Sequence, residues 1–216
     1  MATITAIEPQ KRDPNRVNIH LDGSYAFGLT RITAAWLKVG QELSEDKIAS
    51  LQRDDERERA YKQAMLFLSY RARSESEIRQ NLNKHGFTQD ASEQTLARLS
   101  ENQLVNDKQF ADAWVENRNT FRPRSRRVLQ MELRQKGLSD EAAQSALEGL
   151  DEESLAYEAG LKKARRLQSE EWSEFRKKLS EHLARRGFPY SVIAAVVSRI
   201  WKETHAEGKN DREENT

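Results

Sequence analysis

Cysteine is absent from the 216-residue sequence, so the chain can form neither a disulfide framework nor a cysteine-ligated metal site; a reducing compartment is the simplest setting. Glycine (9) and proline (4) are scarce while charged residues are abundant, a mixture that favours helices with solvated faces. No apolar run approaches the ~20 residues of a membrane span. The opening MATITAIEPQ lacks the charged-then-apolar pattern of a secretory signal. Together these absences predict a soluble cytoplasmic protein that makes no membrane contact.

Charge is what the sequence has in plenty. Asp, Glu, Lys and Arg supply 33% of residues, yet the net charge is only +1 because the signs are segregated. From Arg118 to Lys136 seven basic residues face one acid; from Gly137 to Leu161 there are seven acids and no Lys or Arg; Lys162, Lys163, Arg165 and Arg166 then restore positive charge. Such blocks create local fields that attract a polyanion or an oppositely patterned protein. The plain alternative is a set of solvated helix faces. With 37% apolar residues, a core requires strict patterning, which points to a modular or elongated molecule.

A threefold internal repeat supplies that patterning. Ile78, Leu82, Gly86, Phe87, Leu96 and Leu99 recur as Leu129, Leu133, Gly137, Leu138, Leu147 and Leu150, and again as Leu179, Leu183, Gly187, Phe188, Val197 and Ile200, at offsets of 51 and 50 residues. Apolar residues four apart share a helix face, and a glycine four further on suits the left-handed position after a helix end. Thr88 and Ser139 then read as caps of a following helix. An amphipathic helix precedes each pair, marked by Tyr61, Met65 and Leu68, by Phe110, Trp114 and Val115, and by Tyr157, Leu161 and Ala164. A unit of this size buries little core alone, so the repeats should stack into an elongated, curved array.

Two repeats place arginines just before a serine: Arg71 and Arg73 before Ser74, and Arg122 and Arg124 before Ser125. Both serines read as N-caps, and Ser74 with Glu77 has the form of a capping box. Cations at a helix start oppose its dipole by about 0.3–1 kcal/mol when exposed, so stability does not account for these arginines. A partner's phosphate or carboxylate does, through guanidinium forks and free amides. The alternative is that they lie over neighbouring rings such as Tyr70 and Phe121. The third repeat has Trp172-Ser-Glu-Phe175 instead.

The segments LSYRARSESEIRQNLNKHGF, LARLSENQLVNDKQFADAWVENR, ELRQKGLSDEAAQSAL and LARRGFPYSVI, in this order and spacing, resemble the RecX family of recombination regulators over residues 60 to 200. Asp107-x-x-Phe110-Ala-x-x-Trp114-x-x-x-Arg118 is the most specific part. The resemblance implies tandem three-helix repeats that bind the RecA recombinase filament on single-stranded DNA and modulate, usually inhibit, its ATP turnover and strand exchange. On this reading the contact residues are Arg71, Arg73, Arg118, Arg122, Arg124, Arg126, Arg127, Lys136, Lys162, Lys163, Arg165, Arg166, Arg185 and Arg186. The chain is expected to act as a monomer without a cofactor.

The predicted organisation is a β-rich segment (1–43), a charged connecting helix (44–59), three repeats (60–106, 107–152 and 153–204) and a disordered tail (205–216). In the first segment Val17, Ile19 and Leu21 alternate with polar residues, Asp22-Gly23 signals a tight turn, and Tyr25, Phe27 and Leu29 alternate beyond it. A hairpin results, with Ile4 to Ile7 as a possible third strand and Trp36 and Leu37 covering one face.

Catalysis finds no support. His20, His85, His182 and His205 are scattered without metal-ligand spacing, and the sequence has neither a phosphate-cradling glycine loop nor a nucleophile elbow. His85 and His182 read as solvated helix positions and Asp107 as a helix cap. Trp114 with Phe110 fits core packing better than a base-stacking platform. Two readings remain: a modulator docked on a recombinase filament, and a helical array that neutralises DNA phosphates directly. The salt dependence of DNA binding separates them.

Overall fold

The computed structural model describes residues 1–213, and the side chains of residues 1–204. Two compact units result, one spanning Met1–Asn106 and the other beginning at Asp107.

The first unit starts with four antiparallel strands, one more than the sequence suggested: β1 (Ala2–Pro9), β2 (Arg16–Leu21), β3 (Ser24–Thr30) and β4 (Glu42–Leu43), in the order β3-β2-β1-β4. Asp22 and Gly23 join β2 to β3 with φ of 50° and 85°, the paired positive angles of a type I′ turn. Ile4, Val17, Ile19, Phe27, Leu29 and Leu43 form the buried face. Tyr25 departs from the expected alternation. Ile19 pairs with Phe27 but His20 pairs with Tyr25, so the extra residue Ala26 bulges and turns Tyr25 outward, where its ring meets the edge of His20. Trp36, expected over the sheet, is 89% exposed. The turn after β3, in which the Ala34 amide donates to Thr30 O and that of Leu37 to Ala34 O, aims Ala34 and Leu37 inward instead.

Helix α1 (Glu45–Leu68) fuses the predicted connecting helix with the first helix of repeat 1. It starts at Ser44, whose hydroxyl accepts from the Lys47 amide. Its first half buries Leu51 and Asp55 under the sheet while Gln52, Arg53, Asp54 and Arg59 stay exposed. Both terminal nitrogens of Arg16 donate to the Asp55 carboxylate, at 3.4 and 3.2 Å, and the Thr30 amide donates to it as well. The second half packs on α2 (Glu75–Lys84) and α3 (Gln89–Glu101) through Ala60 and Ala64, with Tyr61 and Leu68 at the rim and Met65 exposed. The expected stripe is thus shifted by one residue, because small side chains let the helices approach closely.

The second unit contains α4 (Asp107–Phe121), α5 (Arg126–Gln135), α6 (Asp140–Ala146), α7 (Glu152–Ala164), α8 (Trp172–Ala184) and α9 (Tyr190–Glu213). Repeat 2 packs Phe110, Ala111 and Val115 against Leu129, Leu133, Leu138, Ala143 and Leu147. In repeat 3, Ala156, Ala159 and Gly160 face α8 and α9, while Tyr157 and Leu161 are only half-buried. A Cβ on Gly160 would stand 2.7 Å from Ile200 Cδ1, which shows how closely α7 and α9 approach. Helix α9 continues through most of the tail expected to be disordered. Extending an existing helix needs no new nucleus. Residues 214–216 lie outside the described residues.

The repeat is a property of the backbone as well as of the sequence. Gly86, Gly137 and Gly187 have φ of 78°, 78° and 87°. Each donates to the carbonyl three residues back, and the apolar residue after it donates to the carbonyl five back: Phe87 to Leu82, Leu138 to Leu133 and Phe188 to Leu183. This is one helix-ending motif built three times.

Candidate functional site

Acidic and basic blocks behave differently once folded. Asp151 caps α7 by accepting from the amides of Glu153 and Ser154, and the Ser154 hydroxyl holds its carboxyl below the usual range. Glu152 accepts from the Arg126 amide, and Asp140 pairs with Arg134. These acids serve helix starts within their own unit.

The basic candidates divide into those the fold uses internally and those it leaves uncompensated. Arg126 donates to Leu147 O at 2.7 Å and Leu150 O at 3.1 Å, closing the carbonyl end of α6. Arg118 pairs with Glu132, which also accepts from Trp114 Nε1, and lies 4.6 Å from the Trp114 ring centre. Lys136 lies over the same ring, and Phe110 stacks on it. Trp114 is therefore a packing residue. In the first unit Arg71 forms a fork with Glu77 at 3.0 and 2.8 Å. Arg73 lies 3.9 Å over Phe67, and burial lowers its pKa, assisted by Arg71. The ring-covering alternative thus holds for Arg73, on Phe67 rather than Tyr70. Arg127 and Arg165 are exposed.

The other basic candidates gather at the junction of repeats 2 and 3. Helices α5 and α8 are held together there by backbone: the Ser125 amide donates to Arg186 O at 3.2 Å. The Ser125 hydroxyl is buried and accepts from the Val128 amide. Gly187 presses on this helix start so closely that a Cβ would collide with Val128 and lie 2.7 Å from Ser125 Oγ. The junction brings the segment Phe121–Arg124 against the end of α8. Arg122, Arg124, His182, Arg185 and Arg186 line a cleft of about 310 Å³. Beside it, Phe121, Pro123, Ala159, Lys162, Lys163, Arg166, His182 and Arg186 line one of about 180 Å³. Neither lining includes a carboxylate; at the rim, Glu181 approaches Arg185 at 3.9 Å.

Arg186 is the centre of this cluster. Its Nη1 donates to Pro123 O at 3.3 Å and its Nε to His182 Nε2 at 3.0 Å. Burial lowers its pKa, and so do Arg124 and Arg122. Arg124 reaches Arg185 O at 3.5 Å, while its Nε is buried without a partner. His182, expected to be solvated, is half-buried. Desolvation depresses its pKa first, then Arg186, Lys163 and Arg185, against a backbone hydrogen bond to Ala159 that raises it. Sequence reasoning missed His182, although its place four residues before Arg186, in the last turn of the helix, was a usable signal. Like charges packed this way repel: at about 4 Å, one charge pair interacts by roughly 4 kcal/mol at an effective permittivity near 20, before desolvation.

Among the described residues no group of three or more His, Asp or Glu could hold a metal ion, and no helix is long and apolar enough to cross a membrane.

Residues 2–44 match the family model described as the regulatory protein RecX N-terminal domain, and residues 60–99, 106–147 and 151–197 match the first, second and third three-helix domains of RecX. The chain belongs to the RecX family. The regulatory protein RecX of Bacillus licheniformis is 35% identical over 205 residues, covering 91% of this chain and 77% of its own. Those of Bacillus velezensis and Bacillus subtilis are each 32% identical, covering 97% and 98% of this chain and 81% and 82% of their own. A crystal structure of regulatory protein RecX superimposes with a TM-score of 0.68 at 30% identity, covering 91% of this chain and 98% of its own. RecX from Lactobacillus salivarius, at 23% identity, has a TM-score of 0.60 and shares the fold. The N-terminal match extends the likeness beyond residues 60 to 200, so the sheet is a family element.

Proposed function

We propose that this RecX-family chain regulates a RecA-type recombinase by docking on its filament on single-stranded DNA, and that its main effect is inhibition of ATP turnover and strand exchange. The reading combines the family, whose members bear the name regulatory protein, with the uncompensated cations at the junction of repeats 2 and 3. A filament on DNA offers phosphates and acidic side chains together, and both fit arginine forks. Arg122, Arg124, Arg185, Arg186, Lys162, Lys163 and Arg166 form the contact; Arg126 and Arg118 support it structurally. The protein acts as a monomer in the cytoplasm without a catalytic step of its own. The test is titration of the purified chain into RecA on single-stranded DNA while following ATP hydrolysis and complex formation. Unchanged turnover with no complex across the titration rejects the reading.

A further inference from the structure

Cations of the second unit gather in a shallow, open cleft with no carboxylate in its lining. Its walls come from two repeats: the α4–α5 connection supplies Arg122 and Arg124, α8 supplies His182, and the turn after α8 supplies Arg185 and Arg186; Lys163 of α7 lines the adjoining cleft. The buried, partnerless Nε of Arg124 lies on this wall. Arg186 is held by Pro123 O and His182, neither of which carries negative charge in the arrangement observed.

We propose that this cleft is a phosphate-recognition site for the backbone of a single nucleic-acid strand, and that His182 takes up a proton as the strand binds. The proposal deepens the filament reading, because it assigns part of that contact to DNA directly; it rests on the same cations facing an anionic partner.

Two observations favour a single nucleic-acid strand. The donors are chiefly guanidinium forks, which match phosphate oxygens in a bidentate manner. Phe121 lines the adjoining cleft and is 72% exposed, which offers a ring face on which an unpaired base stacks beside its phosphate. A duplex keeps its bases stacked inside and leaves the ring unused.

Proton linkage follows from how His182 is held. Its Nε2 accepts from Arg186 Nε at 3.0 Å, which requires the neutral ring. Burial, then Arg186 and Arg185 from the turn after α8 and Lys163 from α7, oppose a positive charge there, against a backbone hydrogen bond to Ala159 that favours it; Arg122 and Arg124 line the same cleft, and Lys162 and Arg166 the adjoining one. Glu181, the carboxylate nearest in the chain, lies toward Arg185 at the rim. A bound phosphate reverses the sign of the local field, so the imidazolium becomes favourable and Arg186 is released to the ligand. Binding therefore tightens as pH falls through the histidine range.

The experiment is fluorescence anisotropy with labelled oligo(dT) and the full chain alone, without recombinase, between pH 8 and pH 6 at several salt concentrations. The expected result is binding that weakens steeply with salt and strengthens about three- to tenfold per pH unit, the upper value being uptake of one whole proton. His182→Gln flattens the pH profile. Phe121→Ala and Arg122→Ala/Arg124→Ala weaken oligo(dT) binding at least fivefold, with unchanged circular dichroism. In the parent, the His182 ring resonance titrates at higher pH with oligo(dT) than without it, a readout independent of any variant's folding.

Absence of oligo(dT) binding overturns the proposal, as does an identical pH slope in His182→Gln. Poly-glutamate of matched charge binding as tightly as oligo(dT) assigns the cleft to a protein partner and overturns it too. Competition by millimolar inorganic phosphate as effective as by oligo(dT) marks a free-anion site and rejects the strand assignment. RecA ATPase measured on the same preparations separates the two readings: inhibition without oligo(dT) binding leaves filament docking standing and removes this inference, whereas oligo(dT) binding without inhibition does the reverse.

Discussion

The amide of Ser125 donates to the carbonyl of Arg186 at 3.2 Å, joining the start of one repeat's middle helix to the end of the same helix in the next. Through this bond a residue at a helix start and a residue at a helix end, 61 positions apart in sequence, fix the relation of repeats 2 and 3. In repeat 3 the position of Ser125 is held by Phe175, fully buried against Trp201 at 5.0 Å between ring centres.

Gly187→Ala tests the junction directly. The new methyl meets Val128 and Ser125 and strains a φ of 87°, so destabilisation of about 2–4 kcal/mol is expected from left-handed strain plus overpacking. Gly149→Ala shares the positive φ but meets nothing within 4 Å, and should cost only about 1–2 kcal/mol. Gly137→Val should exceed about 1 kcal/mol for the same conformational reason. Urea unfolding followed by circular dichroism gives the three values; equal midpoints for Gly187→Ala and Gly149→Ala would contradict the close contact.

Arg126→Ala and the Arg122→Ala/Arg124→Ala pair should separate structure from recognition. The first removes two donors from the end of α6 and should lower stability on the order of 1–2 kcal/mol while sparing inhibition of recombinase ATPase. The second should spare the melting temperature and weaken inhibition. Reversed outcomes would show that the division of the arginines is mistaken.

Asp55→Ala removes a carboxylate that is 3% exposed and holds both Arg16 and the Thr30 amide. Leaving Arg16 without its partner should cost about 3–5 kcal/mol. Proteolysis of the native chain should then cut first in residues 1–44, as the sheet loosens from α1; cleavage beginning elsewhere argues against that anchoring role.

Glu171 stands at the start of α8 without a side-chain cap bond, whereas Ser74, Ser125 and Ser139 cap their helices. Glu171→Ser should raise stability by about 0.5–1 kcal/mol. Thermal unfolding at low and moderate salt checks this; a lower melting temperature at both would count against the cap assignment.

His182 gives a pH dependence with a definite sign. Burial and the neighbouring cations depress its folded pKa below 6.5, so the unfolded state binds more protons. Its contribution to stability is complete above the unfolded value and is lost as pH falls through and below it. His182→Gln should remove that acid-side loss between pH 7 and 5 in urea titrations; an unaltered profile would show that another group is responsible.

Much of the fold was legible because its determinants are local. The left-handed glycine, the apolar pair before it and the apolar residue after it lie within ten residues, and each copy states the helix end by itself. The Asp22-Gly23 turn was legible for the same reason. The bulge that turns Tyr25 outward was not, since it depends on pairing with β2, and neither was the register of α1, where Ala60 and Ala64 are inward because two other helices demand close approach.

For the site, sequence alone determined the stock of cations and their spacing relative to the repeat, because charge and periodicity are written along the chain. Only tertiary structure decided which of them are spare. Arg118 meets a carboxylate and Arg126 closes a helix end, whereas Arg122, Arg124 and Arg186 lie beside one another and His182 with carbonyls but no carboxylate among their partners. The difference arises because electrostatic compensation depends on distances through space, and backbone bonds between helices far apart in sequence set those distances.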